Sequence, residues 1–179
     1  MTRLSTLFGQ IARGLDRQAD WLLPSAARLV FAAVLLGYFW ASALTKLEGP
    51  FTPTLGGYAQ IFPRLFEAVG YDASQMGLWP RLVVLAGAWA EILLPALILI
   101  GFLTRLAALG MLGFVLVQSL TDILGHGADP GAWFDRASDA LVLDQRALWA
   151  LLLVVLVMRG GGPLAVDRLV ERVRSRLLA

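Results

Sequence analysis

The sequence predicts an all-α integral membrane protein built as a four-helix bundle. Three observations lead there. The apolar fraction is 58% and the charged fraction 16%, against about half and a quarter in soluble chains. The apolar residues gather into four blocks, each near the roughly 20 residues that a helix needs to cross a hydrocarbon core. Lipid offers the backbone no hydrogen bonds, so segments of this kind must satisfy their own, as helices do. The 179 residues are read as a single membrane domain.

Residues 1–23 carry Arg13, Asp16, Arg17 and Asp20 where a cleavable signal would need its apolar core. Leu4, Leu7, Phe8, Ile11, Leu15 and Leu22 share one helical face, so the segment is expected to lie as a peripheral amphipathic helix in the interface. The first span is about 25–46, "SAARLVFAAVLLGYFWASALTK". In the connection that follows, Tyr58, Ile61, Phe62, Leu65, Phe66 and Val69 predict an amphipathic helix over the mouth of the bundle. The second span is about 81–100, and "GFLT" turns it tightly into the third, about 105–124. "GHGADPGAWFDRAS" is rich in turn residues and leads to the fourth span, about 140–158. In the tail, 164–178, Leu164, Val166, Leu169, Val170, Val173 and Leu177 gather on one face with arginines around them. This suits a third peripheral helix on an anionic membrane surface.

Orientation follows from the basic residues. Arg3, Arg13, Arg17, Arg28, Arg105, Arg159, Arg168, Arg172, Arg174 and Arg176 fall on one side, and Lys46, Arg64, Arg81, Arg136 and Arg146 on the other. The richer side is expected to be cytoplasmic, with both termini on it and the chain in a plasma (inner) membrane. The other side also holds Glu48, Glu67, Asp72, Asp129, Asp135, Asp139 and Asp144, which makes it net acidic.

Composition narrows the chemistry. There is no cysteine and one histidine, so this chain forms no disulfide, thiolate metal site or iron–sulfur cluster, and no two-histidine haem site. Asp122, His126 and Asp129 do not make a convincing metal-ligand set, and no metal is expected. No nucleic-acid partner is expected either. Redox work would need a borrowed carrier.

Glu91 is the outlying residue, a carboxylate inside "GAWAEILLPALI". It lies ten residues below Arg81, roughly 15 Å into the membrane. An ionised carboxylate there costs about 2.5–3.5 kcal/mol on insertion scales, so it should face the bundle interior, protonated or paired with Lys46, Arg81 or Arg105. Pro95 has no N–H for the carbonyl of residue 91, which predicts a kink and a free carbonyl. Glu91 is packing glue hydrogen-bonded to a neighbouring helix, an acid that handles protons or ligand, or a stray residue facing lipid. Tyr38, Ser42 and Lys46 on span one, and Gln118, Asp122 and then His126 on span three, fall in the same half of the membrane. They are candidate pocket residues with Trp40 and Trp89, whereas Trp21, Trp79, Trp133 and Trp149 are read as interfacial. Lys46 also suits a snorkelling anchor, and His126 a surface loop residue.

"ARLVFAAVLLGYFWASALTKL", "AEILLPALILIGFLTRLAALGML" and "RGGGPLAVDRL" together resemble the DoxX family of small four-helix membrane proteins. Gly37 and Lys46 match its first element. Glu91, Gly101, Thr104 and Arg105 match the second, and Gly160, Gly162 and Asp167 the third. The chain departs from the family pattern at Ala165-Val166, at Asp144 where Glu is common, and in the Asp-rich loop 125–139. The resemblance implies a redox-linked membrane subunit, of which the membrane subunit of a thiosulfate:quinone oxidoreductase is the best-known type. Quinone is then the implied cofactor. Glu91 is its proton-exchanging group, with Lys46, Arg105 and His126 near the head group in an outward-facing pocket. The lipid bilayer, a periplasmic redox protein, a second membrane subunit or an oligomer are the implied partners. A non-enzymatic scaffold anchoring a periplasmic protein is the alternative. A small-solute transporter is a third reading, disfavoured because no inverted repeat is visible.

Overall fold

The computed structural model describes residues 2–177, with side chains described from residue 7 onward; Leu4 of the amphipathic stripe lies outside these. Among the described residues, four helices are long and apolar enough to cross a membrane: Leu7–Lys46, Leu78–Ile100, Thr104–Gly125 and Leu141–Arg159. They bear out the all-α membrane bundle. In chain order the helices are α1 (Thr2–Phe31), α2 (Gly37–Lys46), α3 (Leu55–Ile61), α4 (Pro63–Ala68), α5 (Leu78–Ile100), α6 (Thr104–Leu120), α7 (Ala147–Arg159) and α8 (Val166–Leu177). A two-stranded ribbon, β1 (Leu47–Gly49) and β2 (Thr52–Pro53), separates α2 from α3.

One expected boundary is absent. The first peripheral helix and the first span are one unbroken helix, because α1 runs into α2 through a wider π-type turn over Ala32–Leu36. Pro24 sits inside α1 without ending it, buried against Gly162 of the loop after α7. Leu7–Lys46 spans 40 residues, about 60 Å at 1.5 Å per residue, twice a hydrocarbon core of about 30 Å. The charges at 13–20 therefore mark a part of the helix that lies beyond the core.

The expected loop helix over 58–69 is two short helices. Pro63 has no N–H and opens α4 as its first residue, while Phe62 leaves helical geometry at φ −126°, ψ 55°. Tyr58 and Phe66 are buried on either side of the break and stack with ring centroids 5.8 Å apart.

In the bundle, α5 packs on α2 and α6, and α7 packs on α6 and α1. The core between them holds Phe31, Phe39, Ile98, Met111, Leu153 and Leu156, all fully buried. Both termini lie at one end. The loops 47–77 and 126–140 lie at the other.

The end with the termini is closed by a lock that explains the glycine and aspartate motifs. Gly101 ends α5 at φ +72°, and its carbonyl accepts from the Asp167 amide at 2.9 Å. The Asp167 carboxylate reaches back to the start of α6. It accepts from the Leu103 and Thr104 amides at 2.7 and 2.9 Å and from Thr104 Oγ1 at 2.7 Å. These are helix-start amides without a partner in their own helix, capped here from α8.

Partial burial by itself pushes the Asp167 carboxyl up. The bonds from Thr104 and Leu103 and the charge of Arg28 outweigh it and hold the group below the usual carboxylate range. A depressed carboxyl stabilises the fold fully above its unfolded value of about 4, and that contribution is lost as pH falls through the lower folded value. Asp167→Ala should therefore lower stability by about 1–2 kcal/mol at neutral pH, the usual loss for a helix cap. Unfolding curves of wild type and variant should converge as pH drops below about 4.

Candidate functional site

Lys46 is the last residue of α2, and α2 stops level with Glu91 of α5. The two side chains form a buried ion pair: Lys46 Nζ is 2.9 Å from Glu91 Oε2 and 3.1 Å from Oε1. Lys46 is 5% exposed and Glu91 1%. Ser42, one turn before Lys46, closes the triangle. Its hydroxyl donates to Glu91 Oε1 at 3.0 Å and accepts from Lys46 Nζ at 2.6 Å. Of the partners considered for Glu91, the structure selects Lys46. Arg81 instead donates to the Phe51 carbonyl at 3.2 Å. Arg105 lies at the end with the termini, beside Gly160.

A second pair stands across the same space. π-type turns extend α6 over Thr121–Gly125 and precede α7 over Leu141–Arg146. Such turns are rare and gather at functional sites. They bring Asp122 against Arg146, which is 3% exposed, and Arg146 Nη1 also donates to Ser119 Oγ at 3.0 Å. Arg146 Nε is buried without a protein partner. Trp149, one turn on, lies under the guanidinium at 6.0 Å and beside the Tyr38 ring at 5.5 Å.

Both pairs line a cavity of about 700 Å³ between α2, α3, α5 and α6. Tyr38, Ser42, Lys46, Glu91, Gln118, Asp122 and His126 all contribute to its wall, and most of the remaining lining is apolar. Gln118 Nε2 donates to Tyr38 Oη at 3.1 Å. At the rim, His126 Nε2 lies 2.9 Å from the Gln60 carbonyl, and Gln60 Nε2 donates to Thr45 Oγ1 at 3.0 Å. A carbonyl only accepts, so the imidazole carries its proton on Nε2 in this bond. His126 is thus a latch between α3 and the end of α6.

Three expected pocket residues lie elsewhere. Trp40 is 41% exposed on the outside of the bundle and donates from Nε1 to the Ile92 carbonyl at 3.1 Å. It serves a carbonyl one residue beyond the one that Pro95 deprives of a donor, on a helix that continues through Pro95. Trp89 donates to the Pro50 carbonyl at 2.9 Å and pins the β1–β2 turn to α5. Arg105 is not part of the cavity wall; it stands near the start of α6, beside Gly160 and away from the polar groups at the other end of that helix. Helical depth placed these residues correctly along the chain, but depth alone does not say which face points inward. Conversely, Arg146, Ser119 and Gln60 were not expected in the site. Arg146 was legible as the basic entry to span four, and Asp122 as an acid near the end of span three; their pairing needed the fold.

Against families of known proteins, the model described as DoxX matches residues 23–122. The chain belongs to the DoxX family. The match covers α2, α5 and α6 and so contains Lys46, Glu91, Gln118 and Asp122 of the cavity. No curated protein and no solved structure matches the chain. Most of the residues that carried the DoxX resemblance fall into two groups in this structure. Lys46 and Glu91 are the buried pair, whereas Gly101, Thr104, Gly162 and Asp167 build the lock at the other end.

Among the described residues no group of three or more His, Asp or Glu side chains could hold a metal ion. The cavity's lining has the residue types that a quinone head group would need. Its volume lies within the range of about 300–1,000 Å³ common for small-molecule sites. Its wall holds an ammonium and a guanidinium, two carboxylates and apolar side chains that suit a ring.

Proposed function

We propose that this DoxX-family protein is a quinone-linked redox subunit whose head-group site is the cavity between the two ion pairs. The observation that carries this reading is the buried Lys46–Ser42–Glu91 triangle in the wall of a mostly apolar, membrane-level cavity. A bound quinone would supply the two-electron, two-proton acceptor that this cysteine-free chain does not contain. Lys46 Nζ, whose three donors are spent on Glu91 and Ser42, would turn one of them to a ring oxygen while Glu91 keeps the ammonium charged and oriented. Ser42 Oγ touches both partners and can carry a proton between them. Arg146, held by Asp122 and Ser119, would supply the donor on the opposite wall, and Arg146 Nε has a bond left to give. Apolar walls keep water from the reacting oxygens and strengthen each of these interactions.

On this reading the termini are cytoplasmic, and electrons arrive at the opposite, acidic end from a periplasmic redox protein or a second membrane subunit. One observation favours the alternative, an anchor for a soluble partner. Trp133 and Phe134 stand exposed on the acidic loop, with Phe134 held at φ +66°. The readings separate on purified protein in nanodiscs, extracted and analysed for quinone. The redox reading expects close to one quinone per chain. No quinone together with a stoichiometric soluble partner supports the anchor instead.

A further inference from the structure

The cavity does not end at its polar groups. Ile61, Val117 and Thr121 belong both to its wall and to a second space of about 390 Å³ between α4 and the end of α6. That groove is lined by Phe62, Pro63, Leu65, Leu120 and Leu124, with Arg64 as its single charged side chain. Val117, Leu120 and Leu124 recur at i, i+3 and i+7 and are 62%, 46% and 63% exposed. In a membrane-spanning helix such a stripe faces lipid. A polar chamber therefore adjoins an apolar trough on the surface that the bilayer covers, with Ile61, Val117 and Thr121 as the partition between them. Two glycines leave room in the chamber's wall: a side chain at Gly113 would meet nothing within 4 Å, and one at Gly87 would meet only the tip of Ile61.

We infer that the trough holds the apolar tail of the ligand whose head occupies the cavity, and that this ligand enters sideways from the bilayer between α4 and α6. Its class is then a membrane-resident amphiphile with a compact polar head and a long hydrocarbon or isoprenoid tail. The inference rests on the head-group reading of the cavity. The unpartnered Arg146 Nε, on a side chain 97% buried, supplies the polar end of the recognition. The trough on the other side of the Ile61–Val117–Thr121 partition supplies the apolar end. Ile61, at the junction and against Gly87, is the side chain that a passing ligand must displace.

The test uses the full chain in nanodiscs and two probes, a benzoquinone with a long isoprenoid tail and the same head without it. Binding is measured for wild type, Leu120→Trp and Leu124→Trp, with thermal unfolding as the folding check; two exposed sites guard against one variant failing to fold. Wild type should hold the tailed probe at least tenfold more tightly. In the variants that advantage should fall tenfold or more while the tail-less probe binds as before. Tailed-probe binding that is unchanged in both folded variants, or equal loss of both probes, overturns the inference. Failure of the head-group reading looks different: neither probe binds wild type, and the inference falls with it.

Discussion

Glu91→Leu should destabilise the protein by about 3–5 kcal/mol, Lys46→Met should do the same, and the double variant should recover most of the loss. The reason is the depth of the pair. With Lys46 5% and Glu91 1% exposed, removal of either partner leaves a charge that has lost its neutralising neighbour and has little water to replace it. Replacing both with apolar side chains of similar volume removes the burden altogether, and such replacements are often neutral or stabilising. Glu91→Gln should fall between, because the amide oxygen still accepts from Ser42 and Lys46 but no longer balances the ammonium. Thermal unfolding of the four proteins in one detergent closes the cycle. Additive losses in the double variant would show that the two residues do not depend on each other.

Gly101→Ala should lower stability by about 3 kcal/mol or more. Gly101 sits at φ +72°, and an added Cβ would run into Arg28 Nη1 and Ala165. A non-glycine residue in this backbone region carries strain of about 1–3 kcal/mol, and overpacking a filled site adds about 1–3 kcal/mol. Gly37 is the control. It also belongs to the motifs that carried the family resemblance, yet it lies at helical φ −63° with nothing within 4 Å of an added Cβ. Gly37→Ala should be neutral or stabilise by about 0.5–1 kcal/mol. Paired unfolding measurements test both; equal behaviour of the two variants would undo the steric account of the Gly101–Asp167 lock.

Much of this architecture was written in the sequence because a membrane imposes few options. Four apolar blocks of adequate length had to become helices, and their ends fell within a few residues of the observed ones except at the start of the first, where the helix runs on unbroken from the segment before it. Glu91 was legible for the same reason: a carboxylate in such a block must be hidden and paired. Lys46 was among its candidate partners, but choosing it required knowing that α2 stops level with Glu91. That stop comes from the β1–β2 ribbon, whose short strands leave no periodic signal. Trp40 and Trp89 were misplaced because each tryptophan spends its indole N–H on a backbone carbonyl, at Ile92 and Pro50. Neither bond is visible to a reading by depth. Arg146 escaped notice because an arginine at a span entrance usually faces the interface, whereas a π-type turn rotates this one inward onto Asp122.

The central claim is that the cavity between the Lys46–Glu91 and Asp122–Arg146 pairs holds a quinone head group. Gly113 allows a direct test, since it lines that cavity and an added Cβ there meets nothing within 4 Å. Gly113→Leu should fold as stably as wild type or more so, because it replaces a helical glycine and fills open space. Titration of a tail-less benzoquinone into both proteins in nanodiscs is the measurement. The account expects saturable binding to wild type, weakened at least tenfold in Gly113→Leu at unchanged thermal stability. Equal binding to both folded proteins, or none to either, would contradict it.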